Sequence, residues 1–168
     1  MNEIMYYKEK IKRLNKIGVM ISKEKDIDKL LNLMLDESIT LTNSDAGSIY
    51  FKEEIEGQNL LVFKCSINRT KNVPFIGESI KIDETSVAGL AALRGNEVIL
   101  NNNNDLKVNI DKSFDKKLNY ETVNMIVIPM KNEVDKVVGV FQILNKKSLD
   151  GKIIPYNEED IDLVKSLA

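Results

Sequence analysis

Histidine and tryptophan are absent from the 168 residues, and there is one cysteine. Without histidine there is no Ser-His-Asp or Cys-His nucleophile pair. The commonest zinc ligand and the usual haem ligand go with it. No G-x-x-x-x-G-K-[ST] or G-x-G-x-x-G segment is present to cradle phosphates. No apolar run approaches the roughly 20 residues that cross a bilayer, so membrane insertion is not expected. The first ten residues, M-N-E-I-M-Y-Y-K-E-K, lack the continuous apolar stretch of a secretory signal. A net charge of -2 gives no electrostatic reason to expect nucleic acid or an anionic surface as partner. A lone thiol cannot close an internal disulfide, which fits a cytoplasmic setting.

What is present is the composition of one soluble domain, 43% hydrophobic and 30% charged. A helix is predicted over 3–23, with Ile4, Tyr7, Ile11, Leu14, Gly18 and Ile21 near a heptad seam. Asp26 is placed to cap a second helix over 27–41, whose Leu30, Leu31, Met34, Leu35 and Ile39 recur at helical spacing. Strands are expected at 46–52, 60–67, 79–82 and 98–100, with a short helix over 86–94 stopped by Gly95. A polar loop over 101–122 precedes two last strands, 123–131 and 137–144. Asn157 then caps a helix with an acidic first turn. Its Ile161, Leu163, Val164, Leu167 and Ala168 keep apolar periodicity to the last residue. The expectation is a helix that continues toward an effector domain.

Strand alternation divides each strand into two faces. Gly47, Ile49 and Phe51 share one, and Ser48, Tyr50 and Lys52 the other. In the next strand Leu61, Phe63, Cys65 and Ile67 oppose Val62, Lys64 and Ser66, and in the last Val138, Val140, Gln142 and Leu144 lie together. One face is apolar and suited to helices. The other mixes hydroxyls, an amide and an amine, which is either a solvated face or the floor of a pocket under the long loops. Cys65 reads as a buried strand thiol, because its neighbour Lys64 points to the opposite face and no base is at hand.

Three blocks stand in fixed order in the second half: S-V-A-G-L-A-A-L-R-G-N over 86–96, S-F-D-K-K-L-N-Y-E-T-V-N-M-I-V-I-P-M over 113–130, and V-V-G-V-F-Q-I-L-N-K over 137–146. Together they resemble a GAF domain over about residues 26–168, with 1–25 as an N-terminal signalling and dimerisation helix. The resemblance implies an α+β fold with a central antiparallel sheet of about six strands. N- and C-terminal helices would pack on one face, and loops and short helices would cover a ligand pocket on the other. The family's nucleotide-contacting positions fall on Ser48, Ser66, Val87, Ala88, Asp115, Leu118, Thr122 and Gln142, and Tyr50, Lys64 and Tyr120 flank them. Ser66 stands where some cyclic-nucleotide binders have a stacking aromatic, Leu118 where they have a lid hydroxyl, and Gln142 where they have an acid. These departures disfavour a cyclic nucleotide and leave a small anionic or amide-bearing ligand as the expectation.

The family's closing signature is met by Asn145, Lys146, Tyr156 and Asp160, with Ile161 in place of its last acid. A structural ion pair between Lys146 and Asp160 is implied. Members that reduce methionine sulfoxide use several cysteines, and bilin binders use a cysteine beyond the second strand. Neither pattern is met, so no catalytic residue, metal or certain cofactor is expected. The blocks most resemble GAF modules ahead of bacterial signalling enzymes, such as HD-GYP phosphodiesterases, nucleotide cyclases and histidine kinases. The function implied is small-molecule sensing in a homodimer that passes ligand occupancy through its terminal helices to an effector in the same parent chain. The alternative is a structural dimerisation or interaction module with no functional ligand.

Overall fold

The computed structural model describes residues 3–102 and 112–168. In chain order the elements are α1 (Glu3–Lys23), α2 (Ile27–Thr42), β1 (Ser44–Ile55), β2 (Gln58–Asn68), β3 (Ser79–Lys81), α3 (Val87–Arg94), β4 (Val98–Leu100), α4 (Ser113–Leu118), β5 (Met125–Lys131), β6 (Val137–Lys146) and α5 (Glu158–Leu167). Residues 103–111 of the loop expected over 101–122 lie outside the described residues. All strand pairs are antiparallel, in the order β3-β2-β1-β6-β5-β4. This is the α+β architecture expected, with β1 and β6 at its centre.

Local signals set the helix boundaries. Asp26 accepts from the amides of Asp28 and Lys29 at 3.0 and 3.2 Å, starting α2. Asn43 ends it in the left-handed conformation, φ 53°. α2 then lies on one sheet face, where Leu31, Leu35 and Ile39 meet Ile49, Cys65, Phe141 and Ile143, and Val164 of α5 joins the same core. Leu35 and Ile39 are fully buried, and each stabilises the fold by roughly 2 kcal/mol. Gly47 permits this contact, because a Cβ there would lie 2.8 Å from Leu35 Cδ1. α1 runs outside α2, tied by Arg13 to Glu37 at 3.0 Å and by Tyr7 to Glu159 of α5 at 3.0 Å.

Two differences from the sequence pattern matter for function. The first is in β2. Ile49 pairs with Cys65, but Tyr50 pairs with Phe63, so Lys64 is an extra residue in a β-bulge. Strict alternation put Leu61, Phe63, Cys65 and Ile67 on one face. The bulge reverses the faces midway, sending Leu61 and Phe63 to the side of Tyr50 and leaving Cys65 under α2. The second is the start of β5, at Met125 and not 123. The amides of Val123 and Asn124 are held by the side chain of Asn145 at 2.8 and 3.3 Å and are not free for a sheet ladder.

Candidate functional site

The face opposite α2 and α5 is not open to solvent. Beneath it lies a cavity of about 890 Å3. Its floor is β1, β2 and β6, its end wall the first turn of α3, and its cover α4 with the segment before β3. Of the residues singled out in the sequence, Ser48, Tyr50, Ser66, Val87, Ala88, Asp115, Tyr120, Thr122 and Gln142 all line it. Lys64 does not. The bulge takes it out of the alternation, and its amine pairs with Glu53 at 2.5 Å.

Each wall follows from local chemistry. Ser86 caps α3, accepting from the Gly89 amide at 2.9 Å, in extended backbone. Among the described residues the amides of Val87 and Ala88 have no hydrogen-bond partner, and both residues border the cavity. The mixed face forms a lateral polar row, since Ser48 is opposite Ser66 on one side and Gln142 on the other. The two hydroxyls lie 3.2 Å apart. One step along the strands, the Tyr50 and Phe63 rings meet at a tilt of 50°, their centroids 4.3 Å apart.

The lid is fastened at its C-terminal side. Asp115 accepts from the amide and the hydroxyl of Thr122 at 2.9 and 2.8 Å, so these two are each other's partners. Tyr120 donates to the buried Asp45 at 2.9 Å, and Asp45 also takes Lys147 at 2.6 Å and Thr70 at 3.2 Å. Burial first, and the Asp45 carboxylate second, push the Tyr120 phenol well above its ordinary range. Asn145, buried and left-handed at φ 55°, donates to Tyr120 at 2.9 Å and to the Glu121 carbonyl at 2.7 Å, while its oxygen holds the Val123 and Asn124 amides. The next residue, Lys146, pairs with Asp160, which closes the capping box of α5 with Asn157. The end of β6 therefore grips the lid with one residue and the last helix with the next.

Pattern reading from sequence missed Phe63, Phe75 and Phe114. The bulge that turns Phe63 inward leaves no period to detect. Phe114 sits within the S-F-D-K block, in a stretch whose polar composition reads as loop, and α4 is too short for helical periodicity. The Asp45 hub had no sequence signal, since its partners come from residues 70, 120 and 147.

Cys65 is buried on the helix side, away from the cavity, and donates to Asn32 at 3.2 Å. Burial, then the charge of Asp28, pushes its thiol up to about 11. Labelling by an aromatic disulfide reagent near neutral pH is expected to run roughly a hundredfold slower than for an exposed thiol. Rapid labelling of the folded protein would contradict this placement.

A sequence-family model of the GAF domain matches residues 24–168. Comparison with curated protein sequences finds no match. Among solved structures, the fold is similar to the GAF domain of a phosphoenolpyruvate-protein phosphotransferase from Acinetobacter. The TM-score is 0.72 at 19% identity, covering 99% of this chain and 89% of that one. A methyl-accepting chemotaxis protein, residues 122 to 287, gives 0.73 at 16% identity, covering 90% and 89%. The free methionine-R-sulfoxide reductase of Neisseria meningitidis, in complex with its substrate, gives 0.66 at 16% identity, covering 92% and 83%. At these identities the likeness is one of fold. No helix among the described residues is long and apolar enough to cross a membrane.

Proposed function

The chain belongs to the GAF domain family, and from that premise we propose that it is a cytoplasmic, ligand-sensing regulatory domain of a bacterial signalling protein. Its ligand is a small anionic or amide-bearing molecule held in the 890 Å3 cavity. The Val87 and Ala88 amides are available to an anion or a carbonyl, and Ser48, Ser66 and Gln142 to hydrogen-bonding groups. The observation that carries this reading is the shared corner at Asn145 and Lys146, which joins the lid over the cavity to the cap of α5. A lid that settles on a ligand pulls on Tyr120 and Glu121, and through Asn145 on the strand end that holds α5. The effector downstream is of the HD-GYP phosphodiesterase or nucleotide cyclase kind. Catalysis by this domain is disfavoured, because its single thiol lies under α2 and not in the cavity.

The test compares amide hydrogen exchange of the protein as purified with protein stripped by unfolding, dialysis and refolding. With ligand present, exchange is expected to slow in α4 and in the first turn of α5 together. Slowing in α4 alone, or no difference, would sink the coupling.

Output through helices calls for a dimer. Ile4, Tyr7 and Ile11 of α1 are 64%, 42% and 58% exposed, although the same helix buries Ile17. Such a stripe is costly in water unless a partner covers it, and a two-fold pairing of α1 and α5 with a second copy is the symmetric solution. Sedimentation is expected to give a dimer, and deletion of residues before Asn15 to weaken it. A monomer at high micromolar concentration would contradict the pairing.

A further inference from the structure

We propose that the ligand is an uncharged, flat aromatic molecule bearing a carboxamide-type edge. Its ring would lie against Tyr50, Phe63, Phe75 and Phe114, and its polar edge on the row of Ser66, Ser48 and Gln142. The proposal rests on the reading that the cavity takes a small molecule, and of the anionic and amide-bearing classes named there it selects the second.

The aromatic side is assembled from four separate parts of the chain: β1, β2, the segment before β3, and the lid helix. Phe63 lies 5.3 Å from Phe114 and 6.0 Å from Phe75, and Phe75 lies 4.8 Å from Phe114. The rings meet at interplanar angles of 50° to 67°, tilted or edge-on. Tilted rings of this kind accept a further ring by offset or edge contact. Because Phe114 is on α4, a ring bound here touches the lid directly.

The polar side specifies the edge. Gln142 lines the cavity half-buried, directly across from Ser48, and its amide has no hydrogen-bond partner among the described residues. A primary amide offers one acceptor and two donors, and the group that answers both at once is another amide. The Ser48 and Ser66 hydroxyls, which rotate to donate or accept, extend the same edge.

Charge argues the same way. The lysines bordering the cavity, Lys81, Lys112 and Lys117, are exposed at its mouth, and the carboxylate inside, Asp115, is already taken by Thr122. Lys117 does reach the rings, its amine 5.5 Å over Phe75 and 5.3 Å over Phe114, but it is exposed and already paired with Glu78 at 3.4 Å, so no cation among the described lining residues is buried there to neutralise an ionised group. Desolvating a carboxylate or phosphate against the aromatic cluster is then expensive.

The experiment titrates the isotope-labelled protein with nicotinamide, nicotinate and cyclic AMP, reading the Gln142 side-chain amide and the Phe63 and Phe114 rings by NMR. Nicotinamide is expected to shift all three saturably, and to bind roughly tenfold or more tightly than nicotinate, the ratio expected when a buried polar group is left wrongly paired. Gln142→Leu is expected to abolish that preference, and Gln142→Asn to keep part of it. Equal or tighter binding of nicotinate or cyclic AMP overturns the proposal, and because that comparison uses the native chain it does not depend on a variant folding. If none of the three binds but the purified protein carries a small molecule that is not an uncharged aromatic amide, the class is wrong and the sensory reading stands; a carried aromatic amide supports the class. If none binds and nothing is carried, both fall.

Discussion

Replacing Lys146 with Ala is expected to lower the stability of the fold by about 3 kcal/mol, measured by urea unfolding followed by circular dichroism. The side chains of Lys146 and Asp160 are 13% and 9% exposed, so the variant leaves a carboxylate in a site where water reaches it poorly. An exposed pair would cost less than about 1 kcal/mol, and burial decides between the two figures. Asp160 would still accept from the Asn157 amide at 2.9 Å, which keeps the loss below the upper end for buried pairs. The double variant Lys146→Met with Asp160→Leu is expected to lose less than the single change, because no charge remains unpaired. A loss under 1 kcal/mol for Lys146→Ala would mean that β6 and α5 are held by packing alone.

Gly89→Ala is expected to cost about 2–3 kcal/mol, the upper range for inserting atoms into a packed site. The intrinsic helix preference runs the other way by about 1 kcal/mol, so the sign rests on contact geometry. A Cβ at Gly89 would lie 2.4 Å from the Lys81 carbonyl oxygen and 2.8 Å from that of Asp83. Both are backbone atoms, which cannot turn aside as a flexible side chain can. α3 must then lift from β3, and the Val87 and Ala88 amides move with it, so the variant is expected to weaken ligand binding as well. Thermal unfolding checks the first effect and ligand titration the second. A neutral or stabilising result would show that α3 rides freely on the sheet.

The elements were legible in the sequence because their signals are local, and their assembly into one sheet because three blocks resemble a known family. Asp26, Ser86, Gly95 and Asn157 mark helix ends by their own side chains or by their freedom of φ. The alternation Ser48–Tyr50 against Gly47–Ile49 identified the cavity face in β1, and Val140–Gln142 did the same in β6. Of the nine singled-out residues that line the cavity, Ser48, Tyr50, Ser66 and Gln142 lie on the face that alternation marked, while Val87, Ala88, Asp115 and Thr122 came from the family resemblance. Lys64 failed for a reason alternation cannot contain: a bulge adds one residue and exchanges the two faces beyond it. The same displacement hid Phe63, so the aromatic half of the cavity was invisible while the polar half was not. The corner at Asn145 escaped for a different reason. The resemblance implied the Lys146–Asp160 pair, which is formed, but the grip of Asn145 on the lid depends on partners at 120–124, brought together only by the folded chain.

Whether this domain holds a small molecule in the cavity beneath α4 is decided by native mass spectrometry of the freshly purified protein, followed by acid denaturation in the same instrument. The expected result is a folded species, dimeric in the first spectrum, whose mass exceeds that of the polypeptide by a few hundred daltons per chain at most. That excess is expected to leave on denaturation and to be recovered as an aromatic amide. A folded protein whose mass equals the bare chain, and which gains nothing from the cell extract it came from, would contradict the sensory reading.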